Sequence, residues 1–418
     1  LKDRLRHWGR LAVVDVTPLR QVPGFRWLFL GMLFVHGGRQ LTIVAVPFQV
    51  YQLTGSTLAV GLLGLAQLVP LLLVSVVGGA LADAVNRRRL LIISQLTLAA
   101  TASGLLWNSL AEQPLLWPLF VLVAINAGVS AVDSPARHAI VPGLVGRELL
   151  PASLALNQTL TNTAAAALPA VAGLLIATAG LPFCYATEIA LFLVGALLMR
   201  QVPDVATEGG GRDFGIASIA EGFRYLKDQR VIQATLLIDL NAMVFGMPTA
   251  LFPAMGTETF GGDAFTVGLL YAAPGIGALI GALTSGWVSS VIRQGRATII
   301  AVMGWGLAIA VFGLTDSLPL ALVMLGLAGA ADVVSAIFRG SIVQLTAPDE
   351  LRGRMGGMHT AVVAGGPRLG DLEAGVVAEL TSIRFSVVSG GLACIFGALL
   401  IARWAPEFLH YRYEPGRQ

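Results

Sequence analysis

Charge is what this sequence has least of. Charged side chains make up 12% of its 418 residues, against about 25% in soluble domains. With 56% hydrophobic residues and a mean hydropathy of +0.77, the apolar surface exceeds what a water-soluble core can hide, and the chain requires lipid. Cysteine is equally scarce: Cys184 and Cys394 both fall inside apolar runs, which excludes a disulfide or thiolate-metal framework and leaves them as small hydrophobes. The five histidines are scattered, and no Gly-rich loop is followed by Lys-Ser or Lys-Thr. Neither a metal site, nor any other cofactor, nor ATP-driven transport within this chain is expected. Nothing supplies an activated nucleophile, so the chain does not read as an enzyme. The net charge of +3 implies no nucleic acid, because basic residues bordering membrane spans account for it. The start, Leu1 to Arg10, is basic and too interrupted for the apolar core of a signal peptide; it reads as a membrane-surface helix.

What is present is a near-continuous series of apolar runs from Phe25 to Trp404. A bilayer core takes about 20 apolar residues per helix, and backbone groups in lipid must pair within their own segment, which open sheets cannot do. The expected fold is an all-α membrane protein with twelve transmembrane helices. Apolar stretches between charged and Gly/Pro punctuation place them near 25–51, 58–82, 88–110, 115–134, 151–178, 182–200, 231–256, 264–290, 296–314, 317–338, 354–381 and 384–404. The positive-inside rule checks this independently. With both termini cytoplasmic, every one of the 27 basic residues falls on the cytoplasmic side except Arg384 in an outer loop and Arg39 and Arg368 inside spans. A wrong helix count would scramble that alternation.

The chain divides accordingly. Residues 1–24 form a cytoplasmic segment and 25–202 a first six-helix bundle. Residues 203–230 form a cytoplasmic linker in which Phe214, Ile216, Ile219, Phe223 and Leu226 are spaced as on an amphipathic helix. Residues 231–404 form a second bundle and 405–418 a tail. The halves repeat in parallel: Gly79-Ala80-Leu81 returns as Gly281-Ala282-Leu283, and Arg137 with Glu148-Leu149 returns as Arg339 with Glu350-Leu351, all at an offset of 202. Parallel repeats of this kind place a substrate site between the two bundles.

The loop after the second span, Gly79-Ala80-Leu81-Ala82-Asp83-Ala84-Val85-Asn86-Arg87-Arg88-Arg89, resembles the signature loop of the major facilitator superfamily. It departs in Ala84, where a basic residue is common, and in Asn86, where glycine is usual. Three further stretches resemble the branch of that superfamily containing the bacterial enterobactin exporter: Asp133 to Ala139 with Val145 to Leu149, Val267 to Ala273, and Gly281 to Gly286. Pro23 to Arg26 and Val44 to Pro47 carry the likeness to the chain's start. The resemblance implies a proton-coupled secondary active exporter of the bacterial cytoplasmic (inner) membrane. It would be monomeric, moving a siderophore or another small amphiphilic metabolite by alternating access. Drug-efflux relatives in the same branch keep a multidrug/proton antiporter open, and a transport-inactive membrane partner protein is the alternative of another class.

Ionisable groups inside spans are the candidates for mechanism, since each costs about 2.5–3.5 kcal/mol at a helix centre. The resemblance implies that spans 1, 4, 7 and 10 line the cavity. It thereby makes Arg39, His36, Gln40, Asn126 and Asn241 substrate-cavity residues, with Arg39 either holding an anionic ligand or pairing with Asp239 of span 7. Asp239, Asp371 and Glu188, with Arg368 one turn from Asp371, are the proton-coupling candidates. Arg368, Asp371, Gly375 and Glu379 share one stripe of span 11. Asp83 with Arg87, Asp133 with Arg137, and Asp332 with Arg339 read as cytoplasmic gate pairs, by helical spacing for the last two.

Overall fold

The computed structural model describes residues 15–84, 86–204, 224–348 and 351–413, without the side chains of 76–84, 289 and 352–354. Every long element among them is a helix: α1 (Pro23–Thr54), α2 (Thr57–Ala84), α3 (Arg87–Leu110) and the run Leu116–Met199. Gly146 (φ 70°) and Gly180 (φ 83°) part that run into α4 (116–145), α5 (147–179) and α6 (181–199). Positive φ is readily reached only by glycine, so these two residues turn the chain between helices with almost no loop. The second half holds α7 (Arg230–Phe245, continued by short turns to Thr259), α8 (Ala264–Leu283), α9 (Gln294–Leu314), α10 (Leu318–Thr346), α11 (Arg352–Leu380) and α12 (Ile383–Trp404). Nine helical stretches among the described residues, with 116–199 taken as one, are long and apolar enough to cross a membrane. α11 is of spanning length but carries more charge than that apolar set.

Local chemistry sets the boundaries. Pro23 opens α1, where its missing N–H costs nothing, and Gly55 in the left-handed region closes it. Asn86 caps α3 by accepting from Arg89 N at 3.1 Å. Asp263 caps α8 by accepting from Phe265 N at 2.9 Å and Thr266 N at 3.3 Å. Large apolar side chains such as Trp107, Leu283 and Leu73 point outward, 81%, 78% and 66% exposed. A membrane belt, not water, accounts for that surface.

The structure departs from the sequence reading in three places. Residues 135–145, expected in a cytoplasmic loop, continue α4 through Pro135 and Pro142. Ala136, Ile140, Val141 and Val145 recur at helical spacing and pack against Phe25 and Leu28 of α1, which holds that stretch in the helix. α7 breaks after Phe245, where span 7 was read as continuous. The freed backbone is met by Trp305, whose Nε1 donates to Gly246 O at 2.8 Å, and by Asp371, which accepts from Ala250 N at 3.0 Å. The amphipathic helix expected near 214–226 lies for the most part outside the described residues; Arg224–Leu226 are helical.

The first-half helices meet those of the second along two crossings, α2 with α11 and α5 with α8. At these crossings glycines face glycines. A Cβ on Gly61 would stand 3.1 Å from Gly375 Cα, and one on Gly173 2.9 Å from Gly268 Cα. Gly173 and Gly375 are 202 positions apart, so the two crossings are copies under the internal repeat. Both close approaches lie toward the ends of the helices near residues 54–57 and 259–264, away from the end that bears both described termini. At that terminal end a Cβ on Gly340, Gly356 or Gly357 would meet nothing within 4 Å. There α5 carries an exposed polar face, on which Gln158 donates to Asn162 Oδ1 at 2.9 Å. Polar side chains exposed along a spanning helix face water rather than lipid. Among the described residues, the close backbone contacts between the halves thus gather at the far end and mid-span.

Candidate transport pathway

Two buried ion clusters stand at the middle of the molecule, one in each half. In the first, Asp133 of α4 is fully buried and is met by Arg39 of α1 at 2.8 Å and by Arg137 of its own helix. In the second, Arg339 of α10 is 1% exposed and is met by Asp239 of α7 at 2.9 Å and by Asp332 at 3.4 Å. Arg137 and Arg339 are related by the offset of 202, and the position equivalent to Asp133 is Ser335, whose Oγ is buried without a partner. The clusters are thus the same arrangement with charge exchanged. In one a central carboxylate is met by an arginine from α1; in the other a central arginine is met by a carboxylate from α7.

This corrects the expected pairing of Arg39 with Asp239. Each meets an opposite charge inside its own half. Arg39 keeps 23% of its side chain exposed, so it is the guanidinium of its cluster that a ligand can reach; His36, one turn away, and Gln40 are half-buried beside it on α1. Arg39→Gln is expected to raise the half-saturation concentration for an anionic substrate by about tenfold, the loss of one charge-assisted hydrogen bond. Arg137 still holds Asp133 in that variant, so the melting temperature should stay near wild type.

Other candidates are placed elsewhere. Asn126 accepts from Thr101 of α3 at 2.6 Å, and Asn241 donates to Cys394 O of α12 at 2.9 Å. Each amide makes a hydrogen bond within its own half. Arg87 donates to Ala139 O at 2.9 Å, tying α3 to α4; the side chain of Asp83 lies outside the described residues. Glu188 is fully buried on α6, with Oε1 accepting from Thr42 of α1 at 2.6 Å and Oε2 unpartnered. Asp371 caps the break in α7 through Thr249 and Ala250. Arg368 donates to Ala364 O of its own helix rather than standing only as a partner for Asp371.

The far end is clasped by two carboxylates. Glu379, at the end of α11, accepts from Ser56 Oγ at 3.0 Å and from Thr57 Oγ1 and Leu58 N at 3.3 Å each, capping α2 from the opposite half. Glu258 accepts from Tyr51 of α1. The sequence placed Glu379 on the α11 stripe without a partner and gave Glu258 no role. Two cavities sit at this end. One of about 620 Å³ is lined by Phe48, Gln52 and Ile176, and one of about 380 Å³ by Glu258, Asp316 and Arg384. Glu379→Gln is expected to loosen the clasp and speed labelling, from the far side, of a cysteine placed at the fully buried Ala254 severalfold. Cys184 and Cys394 are fully buried and give no background.

The sequence matches the family model described as transmembrane secretion effector over residues 14–409. It is 30% identical to the enterobactin exporter EntS of Escherichia coli strain K12 over 408 residues, 96% of this chain and 97% of that one. Its fold is similar to a bacterial homologue of the human lysosomal transporter Spinster in an inward-facing, occupied conformation (TM-score 0.73, 14% identity, 96% and 99% of the chains covered). It is also similar to a D-xylose-proton symporter (TM-score 0.68, 15% identity, 92% and 98% covered). With the helical fold and its two related halves, these likenesses make the chain a multi-pass membrane transporter rather than an enzyme, and it belongs to the transmembrane secretion effector family of the major facilitator superfamily.

Proposed function

We propose that this transporter exports a small amphiphilic metabolite of the siderophore class from the cytoplasm across the bacterial inner membrane, by alternating access coupled to protons. The observation that carries this reading is the 30% identity to an enterobactin exporter along nearly the whole of both chains. The first ion cluster supports it: two guanidiniums against one carboxylate leave a surplus positive charge, and the partly exposed Arg39 offers it to the space between the halves. A catecholate or carboxylate ligand fits that surplus, whereas a lipophilic cation does not. In this scheme both termini are cytoplasmic and the monomer, set in lipid, is the working unit. Residues 25–202 and 231–404 are its rocking bundles, joined by 203–230. The clusters of Asp133 with Arg137 and of Asp332 with Arg339 brace the cavity as it opens and closes, and Asp83 with Arg87 latches its cytoplasmic side. Asp239, Asp371 and Glu188 are the carboxylates through which protonation is coupled, with Arg368 beside Asp371.

Uptake into inside-out vesicles tests the reading, using an iron-free tris-catecholate siderophore and a lipophilic dye cation, each with and without a proton ionophore, and Asp239→Asn as control. Siderophore uptake that the ionophore abolishes is the expected result. Dye uptake alone would move the protein to drug efflux. Failure of both in well-folded protein would favour a transport-inactive partner protein.

A further inference from the structure

We infer that His359 is the proton-accepting group of the second cluster, and that its protonation closes a gap to Asp239 and so pulls α11 against α7. The inference rests on the proton-coupled reading above and names the residue that would carry it.

The geometry is specific. His359 lies on α11, 27% exposed, with Nε2 3.4 Å from Asp239 Oδ2. Asp239 is fully buried, and its other oxygen is 2.9 Å from Arg339. Neither oxygen of Asp239 receives an aligned hydrogen bond, and Nε2 of His359 and both Nε and Nη1 of Arg339 are likewise unpartnered. Around His359 the described charged groups are Asp239 from α7 and Arg339 and Asp332 from α10. Asp239 shares its one guanidinium, Arg339, with Asp332, whose side chain is 35% exposed and solvated. The buried Asp239 Oδ2 is left without a hydrogen bond, and a proton on His359 Nε2 would supply it. Buried acceptors without a donor are costly, so the proton has a defined place to go and a path from the exposed face of the ring.

The first cluster carries surplus positive charge. Its histidine, His36, feels Arg39 and Arg137, and a proton there would add to an existing excess of positive charge. Of these two histidines, only His359 has an acid to meet. The two halves therefore divide the work, one presenting surplus positive charge to a ligand and the other an unmet acceptor to a proton.

A neutral imidazole turns either a lone pair or a weak donor toward Asp239, and at 3.4 Å the contact is long. An imidazolium–carboxylate hydrogen bond closes to about 2.7–2.9 Å. Proton-driven export takes the proton from water on the far side when the cavity faces out, forms a bond from it to Nε2, and releases it to the cytoplasm once the cavity faces in; no electrons move. Contraction by roughly half an ångström acts on a helix that also carries Asp371, Gly375 and Glu379. Twenty residues of helix from His359 to Glu379 reach about 30 Å, so one element links the proton site to the clasp at the far end.

The experiment compares wild type with His359→Gln, which cannot be protonated, and His359→Arg, which is always charged, in inside-out vesicles with the iron-free tris-catecholate. Two quantities are read for each. One is ionophore-sensitive accumulation across external pH values; the other is substrate exchange with no gradient, which needs no net proton movement. Both variants should keep exchange, showing that they fold and bind. Both should lose the ionophore-sensitive component and its pH dependence, about tenfold in accumulation per pH unit of gradient. If either variant accumulates substrate with the wild-type pH profile, His359 is not the acceptor. If wild type itself ignores the ionophore, the proton-coupled reading fails first, and the variants then match wild type in both quantities. Loss of exchange in both variants would assign His359 to packing or binding and also overturn the inference.

Discussion

Arg339→Met is expected to leave little folded protein in the membrane. The side chain is 1% exposed and neutralises the fully buried Asp239. Removing one partner of a buried pair costs about 3–5 kcal/mol, because the other charge stays behind; whole domains are stable by only about 5–15 kcal/mol. The measurement is the temperature at which half the detergent-solubilised protein loses its monodisperse peak. It should fall by well over 5 °C, since each kcal/mol moves a large domain by about 2–4 °C. Adding Asp239→Leu to Arg339→Met should recover most of the loss, because an apolar pair of similar volume replaces a buried ion pair at little cost. Recovery of stability without recovery of transport would separate the two roles of the cluster. A single variant that melts with wild type would mean that Arg339 is not buried against Asp239 in the membrane.

Leucine at Gly173 or at Gly375 is expected to act on conformation instead. A Cβ at Gly173 already stands 2.9 Å from Gly268 Cα, and one at Gly375 stands 3.0 Å from Gly61 Cα and 2.7 Å from Thr57 O. Overpacking of this kind costs about 1–3 kcal/mol, here set against the closed far end alone, or roughly a fivefold to 150-fold change in its population. Melting should change little, because the packing within each half is untouched. Labelling of a cysteine at the buried Ala254 from outside should rise and export should fall in step, with alanine at the same glycines intermediate. Wild-type export in Gly173→Leu would show that the two crossings do not have to close.

The spans were legible because lipid imposes a strong rule on sequence: long apolar runs, with arginine held to one side. The 202-residue repeat was legible for the same reason, since Arg137 and Arg339 mark equivalent helix ends. What could not be read was which charges meet. Arg39 and Asp239 stand at comparable depths on the first helix of each half, which invited a bond between halves. Only the packing of α1 on α4 and of α7 on α10 shows that each finds a nearer partner. His359 was invisible because its acid lies 120 positions away, and Glu379 because its donors belong to the start of α2. The extension of α4 through two prolines was hidden too, since those residues read as loop formers until the apolar face at Ala136, Ile140 and Val145 is given something to pack on.

The closed far end has a consequence for direction. In the proposed orientation, backbone-to-backbone glycine contacts and two carboxylate clasps hold the halves together on the side facing out. A molecule already expelled can re-enter only when those contacts part. Thermodynamics permits the cycle to run backwards whenever the gradients reverse, but each return trip must first break the clasps, so expelled cargo is kept out chiefly by waiting time.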